Sequence, residues 1–173
     1  MLKIRAFTMI ELLIVLTVTL LLFCSIVPSL NNLIAENRAQ SRIEELFAIL
    51  QYARMEAMRR DEVITFCKSL DQKSCGGDWR NGQIVIDANG NKLRSFAAVA
   101  SHDSFTWQSS LGHNDALSFL PSGFTAGQQG SFCYCPDGKN AYSSSLIVER
   151  TGRMRIIKDS ACIITNSTVK IPY

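Results

Sequence analysis

The amino-acid sequence predicts an α+β fold, in which a long N-terminal helix packs on a C-terminal antiparallel, β-sandwich-like domain. Three observations carry this prediction. Residues 12–27 hold no charged side chain, and residues 39–57 repeat apolar positions every three or four residues. Residues 61–173 contain short apolar stretches separated by turn signals. One long helix followed by many short strands is typical of an α+β unit.

The first element is an apolar segment over residues 7–30, preceded by a short head that carries Lys3 and Arg5. About 20 apolar residues are enough to cross a bilayer as a helix. Basic residues on the short side predict that the start stays in the cytoplasm and the rest is exported. Glu11 lies near the start of this segment, where a charge costs a few kcal/mol and therefore indicates a functional residue.

The helix is predicted to continue over residues 31–60 as an amphipathic segment. Its apolar positions, spaced for one helix face, are Ala39, Ile43, Leu46, Leu50, Ala53 and Ala57. Short strands are then predicted over residues 62–67, 83–87, 92–99, 105–108, 117–120, 131–135, 146–150, 153–157, 162–165 and 168–171. Trp79 and Trp107 are predicted to be core or half-buried positions. The β-rich domain is therefore predicted to cover residues 61–173.

Six cysteines are many for a chain of 173 residues and indicate an oxidising compartment. Cys24 lies in the apolar segment and the other five in the body. Cys67 and Cys75 enclose seven residues and are predicted to close one loop with a disulfide. Either Cys133 or Cys135 can pair with Cys162, and the residues themselves leave that choice open.

Motifs of enzymes and of metal sites are absent from the sequence. It has no nucleophile elbow, phosphate-binding glycine loop or zinc-protease signature, and its two histidines, His102 and His113, lie in polar loop sequence. We therefore predict no enzymatic activity, no cofactor, no metal and no small-molecule substrate.

A basic hairpin lies near the C-terminus, where residues 141–173 hold five basic and two acidic side chains. Arg153 and Arg155 alternate with apolar residues, so both should leave one face of a strand. Arg150 lies across the turn and Lys158 nearby. Such a group can hold a nucleic-acid backbone without reading bases. Charge alone favours the other interpretation, a solvated hairpin whose charges protect an edge strand.

The segment from Ala6 to Ile14 (AFTMIELLI) resembles the prepilin cleavage site of type IV pilins and type II secretion pseudopilins. The resemblance implies that residues 1–6 are a leader peptide, that a prepilin peptidase cuts between Ala6 and Phe7, and that Phe7 is N-methylated. It also implies that Glu11 acts in filament assembly. Ala6 stands where the family usually has glycine.

Stretches of the body are similar to the FimT/FimU/GspH-type minor pilins and pseudopilins, with the FimT type as the nearest match. They are residues 53–60 (ARMEAMRR), 63–67 (VITFC), 82–86 (GQIVI), 117–119 with Gly123, and 152–155 (GRMR). In FimT-type pilins the Gly-Arg-x-Arg motif binds DNA, a role carried here onto Gly152, Arg153 and Arg155. Arg150 and Lys158 join this predicted site by proximity. The alignment of residues 132–137 with the family favours a Cys135–Cys162 disulfide.

The resemblance therefore implies a minor type IV pilin that binds duplex DNA without sequence preference during natural transformation. Its other expected partners are pilin and minor pilin subunits, the prepilin peptidase and the inner membrane. Before assembly it would be a single-pass inner-membrane protein with a periplasmic C-terminal domain, and after assembly part of a cell-surface pilus. The alternatives are a structural minor pilin that primes pilus assembly and a GspH-type pseudopilin of a type II secretion system.

Overall fold

The computed structural model describes residues 8–110, 112, 115–138 and 142–158, apart from the side chains of residues 24–29. The chain divides into two compact units, Met1–Ala35 and Glu36–Tyr173. Helix α1 (Met9–Arg60) contributes residues to both.

The N-terminal unit is helical from Met9 onward. The Thr8 hydroxyl oxygen accepts a hydrogen bond from the Glu11 amide at 3.3 Å. Threonine followed three residues later by glutamate is a capping-box sequence, which satisfies amide groups that a helix start leaves unpaired. Every large apolar side chain from Met9 to Phe23 is more than half exposed. This unit therefore presents an apolar surface that its own residues do not cover.

Within the described residues, no helix offers a stretch both long enough and apolar enough to cross a membrane. The span predicted for residues 7–30 includes residue 7 and the side chains of residues 24–29, which lie outside that description.

The C-terminal unit contains two antiparallel four-stranded sheets. In spatial order the first is formed by β3 (Lys92–Phe96), β2 (Gln83–Ile86), β1 (Ile64–Lys68) and β5 (Ala116–Phe119). The second is formed by β4 (Ser104–Ser109), β6 (Gly130–Cys135), β7 (Ser144–Val148) and β8 (Met154–Lys158), with a 3-10 turn over Pro136–Gly138. Each predicted strand that falls within the described residues corresponds to one of these strands.

One apolar core joins both sheets to the second half of α1. All six helix positions predicted from the periodicity are buried, and Trp79 and Trp107 are buried as well. Phe66 of β1 meets Phe132 of β6 edge to face, with ring centroids 5.8 Å apart. The α+β prediction is therefore confirmed, with aromatic side chains filling the space between the sheets.

Cys67 and Cys75 form a disulfide, the pairing that the sequence predicts, with Cα atoms 5.6 Å apart. Inside the loop that it closes, the Asp71 carboxylate accepts hydrogen bonds from the amides of Lys73 and Ser74 at 2.8 and 2.9 Å. These hydrogen bonds hold the pKa of Asp71 far below its usual value. The loop is therefore held by the disulfide and by hydrogen bonds to an exposed carboxylate.

Candidate nucleic-acid interface

The β7–β8 connection is a tight turn built around Gly152. The Gly152 amide donates to the Glu149 carbonyl at 2.9 Å, and the Glu149 amide donates to the Arg153 carbonyl at 2.9 Å. Gly152 has φ of +75°, a conformation that residues with a Cβ rarely adopt. We call residues 149–155 the arginine turn, since Arg150, Arg153 and Arg155 all lie in it.

The arginine turn is docked on the loop that follows β5. A Cβ on Gly152 would lie 2.1 Å from the Gly123 carbonyl oxygen, so the two backbones are in direct contact. The Thr125 amide donates to the Arg150 carbonyl at 3.0 Å, while the Thr125 hydroxyl donates to the Gln128 carbonyl. From the helix, Arg54 Nε donates to the Gly123 carbonyl at 2.9 Å. Two elements, the loop after β5 and helix α1, therefore fix the position of the turn.

The three arginine side chains of the turn are exposed. Met154 and Ile156 pack against the core, so Arg153 and Arg155 project from the opposite, outer face of the sheet. Arg155 lies beside Ile147 of β7 in the strand register. The turn thus presents three exposed arginine side chains to solvent.

The other described arginines have partners. Arg38, Arg42, Arg59, Arg60 and Arg80 form ion pairs with carboxylates. Arg54 donates to the Gly123 carbonyl, and Arg94 lies 4.1 Å from the centroid of the Tyr52 ring. Among the described residues, no carboxylate lies within ion-pair distance of Arg150, Arg153 or Arg155. Within the part of the chain that the structure describes, their charges are available to an external anion.

Lys158, which the sequence adds to this group, lies elsewhere. It shares the strand parity of Met154 and Ile156 and therefore leaves β8 on the face turned toward the helix. There its Nζ donates to Gln40 Oε1 at 2.8 Å. The structure brings Arg150, Arg153, Arg155 and Gly152 together and separates Lys158 from them, because successive side chains alternate across a strand.

The assignment of Cys135 to a disulfide is wrong. Cys133 is the disulfide-bonded cysteine, and Cys135 keeps a thiol that contacts Ser104. Burial raises the pKa of that thiol. Both cysteines leave the same face of β6, so alternation along the strand could not distinguish them. Cys162 lies outside the described residues.

Sequence reasoning assigned no role to Arg54 and Gly123, although both hold the arginine turn. They lie 69 residues apart in the chain, so local patterns carry no signal of their contact. The one hint in the sequence was Arg54, a long cationic side chain that lies next to Ala53 and Ala57 of the buried helix face.

A second polar cluster surrounds the buried carboxylate of Asp103. The Tyr134 hydroxyl and the Asp137 amide donate to it, and Arg38 lies 3.5 Å away. Burial alone would raise the pKa of Asp103, but these hydrogen bonds and the Arg38 charge outweigh it and hold that pKa below its usual value. His102 Nε2 lies 3.4 Å from Asp137 Oδ1. The Arg38 guanidinium lies within ion-pair distance of both carboxylates, 3.5 Å from Asp103 and 3.6 Å from Asp137, so the cluster joins helix and sheet.

At the N-terminus, Glu11 is exposed, and its backbone amide is bonded to the Thr8 hydroxyl. Ala6 and Phe7, the predicted cleavage site, lie outside the described residues.

A long helix whose first part is apolar and exposed, and whose second part packs on two antiparallel sheets, is the architecture of a type IV pilin-like protein. Residues 42–152 match the family model of the type II transport protein GspH. The chain therefore belongs to the GspH family, as a pilin-like protein of the FimT/FimU/GspH type.

Two solved structures show the same fold. The type IV minor pilin FimU of Pseudomonas aeruginosa strain PAO1 is 26% identical, with a TM-score of 0.58 over 71% of this chain and 90% of FimU. The minor pseudopilin EpsH from the type 2 secretion system of Vibrio cholerae is 11% identical, with a TM-score of 0.52 over 69% of this chain and 96% of EpsH. At that identity EpsH shows the fold alone. A comparison with curated protein sequences gives no match.

Proposed function

We propose that this chain is a minor type IV pilin that binds DNA without sequence preference through its arginine turn and so acts in DNA uptake during natural transformation. The observation that carries the proposal is the contrast among arginines. Five described arginines form ion pairs with carboxylates, whereas Arg150, Arg153 and Arg155 are exposed and have no described carboxylate within reach.

Arginine suits this ligand because its planar guanidinium donates two parallel hydrogen bonds to a phosphate. A site that neutralises phosphates releases counterions, which gives affinity that falls with salt and does not depend on base sequence. The fixed backbone of the arginine turn limits the entropy lost on binding to that of the side chains. Gly152 contributes by allowing the turn to dock, not by touching DNA.

The N-terminal unit is proposed to deliver this site to the cell surface. A prepilin peptidase would remove residues 1–6 between Ala6 and Phe7 and methylate Phe7. The exposed apolar helix would lie in the inner membrane before assembly and among pilin and minor pilin helices in the pilus afterwards, since an apolar surface of this extent requires an apolar partner. Glu11 would then neutralise the Phe7 amine of a neighbouring subunit, because either charge buried alone is costly. This role requires no catalysis.

The test is DNA binding by the full-length chain in a nonionic detergent, measured by fluorescence anisotropy with a labelled duplex at several salt concentrations. We expect weaker binding for Arg153→Ala/Arg155→Ala. The slope of log affinity against log salt should fall in magnitude by about 1.8 if each arginine contacts one phosphate.

A matched control is Lys73→Ala/Arg80→Ala, which removes the same net charge from exposed positions in and beside the disulfide loop. It should bind almost as the unmodified chain does. Equal losses in the two double variants would show that net charge, not the arginine turn, holds DNA. Absence of duplex binding by the unmodified chain at low salt would refute the proposal.

A second candidate follows from the names of the relatives. The matching family is described as a type II transport protein, and FimU is a type IV minor pilin. Each name favours a structural subunit, either a pseudopilin of a type II secretion system or a minor pilin that primes pilus assembly. Both predict no DNA affinity, so the same binding experiment separates them from the first proposal. Deletion of the gene would then distinguish them, through loss of secretion or loss of pili.

A further inference from the structure

An exposed aromatic residue lies in the loop on which the arginine turn is docked. Phe124 is 50% exposed, although phenylalanine is usually buried. It is held in a compact loop, where its amide contacts the Ser122 hydroxyl at 3.4 Å and its carbonyl accepts from the Leu120 amide at 2.8 Å. The backbone that presents the ring is therefore fixed.

The two neighbours of Phe124 are the residues that dock the arginine turn. Gly123 contacts Gly152, and the Thr125 amide donates a hydrogen bond to the Arg150 carbonyl. Phe124 is thus flanked on both sides by contacts with the turn that carries Arg150 and Arg153. The loop that carries the half-exposed ring and the turn that carries the guanidinium groups are therefore in contact through their backbones.

This pairing fits the chemistry of unpaired nucleic acid. The bases of a duplex are stacked on one another and present only their edges, whereas a single strand offers the faces of its bases to an aromatic ring. Cations beside the ring hold the backbone while the ring holds the base. The exposed charged side chains of the arginine turn, Arg150, Arg153 and Arg155, are all cationic.

We infer that Phe124 is a stacking platform and that the arginine turn and the Phe124 loop together bind single-stranded DNA more tightly than duplex of the same sequence. The inference rests on the proposed DNA-binding function and extends it to the form of DNA that is bound.

The experiment compares three labelled probes on the full-length chain in nonionic detergent: a single strand, its duplex, and an abasic single strand of equal length. The abasic probe keeps the phosphates and removes the bases. Phe124→Ala should weaken binding to the single strand by about 5- to 150-fold, the range for loss of stacking on one base. Its binding to the duplex and to the abasic strand should stay unchanged.

Two further variants separate stacking from structure. Phe124→Tyr keeps a ring and should bind the single strand as the unmodified chain does, whereas Phe124→Leu keeps an apolar side chain and should behave like Phe124→Ala. Substitutions at Phe124 should leave the salt slope unchanged, because no phosphate contact is lost. Thermal unfolding of each variant checks that the fold is retained.

The outcomes are distinct. If Phe124→Ala binds all three probes normally while Arg153→Ala/Arg155→Ala loses them, the stacking inference fails and the proposed function stands. Equal losses on every probe also overturn it, since stacking cannot act on an abasic strand. If DNA binding is normal but Phe124→Ala subunits fail to enter filaments, the ring contacts another pilin. If the unmodified chain binds no probe at low salt, the proposed function itself fails.

Discussion

Replacing Gly152 by alanine should destabilise the C-terminal unit through two effects that the structure allows to be separated. The first is conformational: φ of +75° costs a residue with a Cβ about 1–2 kcal/mol. The second is steric, because the new Cβ would lie 2.1 Å from the Gly123 carbonyl oxygen, a backbone atom with no side-chain freedom.

Relief of that contact requires the arginine turn to move away from the Gly123 loop. The hydrogen bond from the Thr125 amide to the Arg150 carbonyl would then be lost or weakened. It contributes about 0.5–1.5 kcal/mol. With the conformational cost, the total loss is about 1.5–3.5 kcal/mol, which corresponds to a fall in Tm of roughly 3–14 °C for a chain of this size.

Gly90 provides a matched control. It has φ of +82° in the β2–β3 turn, but a Cβ there would meet nothing within 4 Å. Gly90→Ala therefore carries the conformational cost alone, about 1–2 kcal/mol.

The assay is thermal unfolding of the full-length chain in nonionic detergent, followed by near-ultraviolet circular dichroism of the buried Trp79 and Trp107. Gly152→Ala should melt well below Gly90→Ala. Equal Tm values for the two variants would refute the reasoning, because they would show that the contact between Gly152 and Gly123 contributes nothing.

Three further predictions concern other parts of the chain. Peptide mapping under non-reducing conditions should find Cys133 linked to Cys162. Cys135 should react slowly with iodoacetamide until the protein is unfolded, because its thiol is buried. Rapid alkylation of Cys135 in the folded chain would contradict the second expectation. Folding lowers the pKa of the Asp103 carboxyl, so this group stabilises the fold above the ordinary carboxyl pKa of about 3.9 and loses that contribution as pH falls through its lower folded pKa. The Tm deficit of Asp103→Asn should therefore be largest near pH 7 and shrink below pH 4. A deficit that does not change with pH would count against this prediction. Glu11→Gln should lower incorporation into filaments as strongly as Glu11→Ala, because glutamine can keep the capping interaction but not the charge. Normal incorporation of Glu11→Gln would show that capping, not charge, is the role of this residue.

Most of the fold was predictable from local patterns. The helix stripe from Ala39 to Ala57 repeats with the period of one helix face, and burial follows that period directly. The strand predicted over residues 117–120 is observed at Ala116–Phe119, because alternation and the turn residues after it restrict where pairing can end.

The candidate site was predictable only in part. The outward direction of Arg153 and Arg155 follows from strand alternation, and the same rule excludes Lys158, which proximity in sequence had suggested. Strand alternation could not decide whether Cys133 or Cys135 forms the disulfide, because both side chains leave the same face of β6. Only three-dimensional packing distinguishes them. Phe124 beside the arginine turn depends on contacts between residues far apart in the chain, which no local pattern encodes.

The arginine turn is positioned by main-chain atoms and by one side chain outside it: the Gly123 and Arg150 carbonyls, the Thr125 amide and Arg54. The guanidinium groups that face solvent take no part in holding it. Folding and ligand affinity therefore depend on different atoms of the same hairpin. A protein with this backbone can gain or lose affinity for polyanions through exposed side chains alone, so two pilin-like proteins with superimposable turns need not share a ligand.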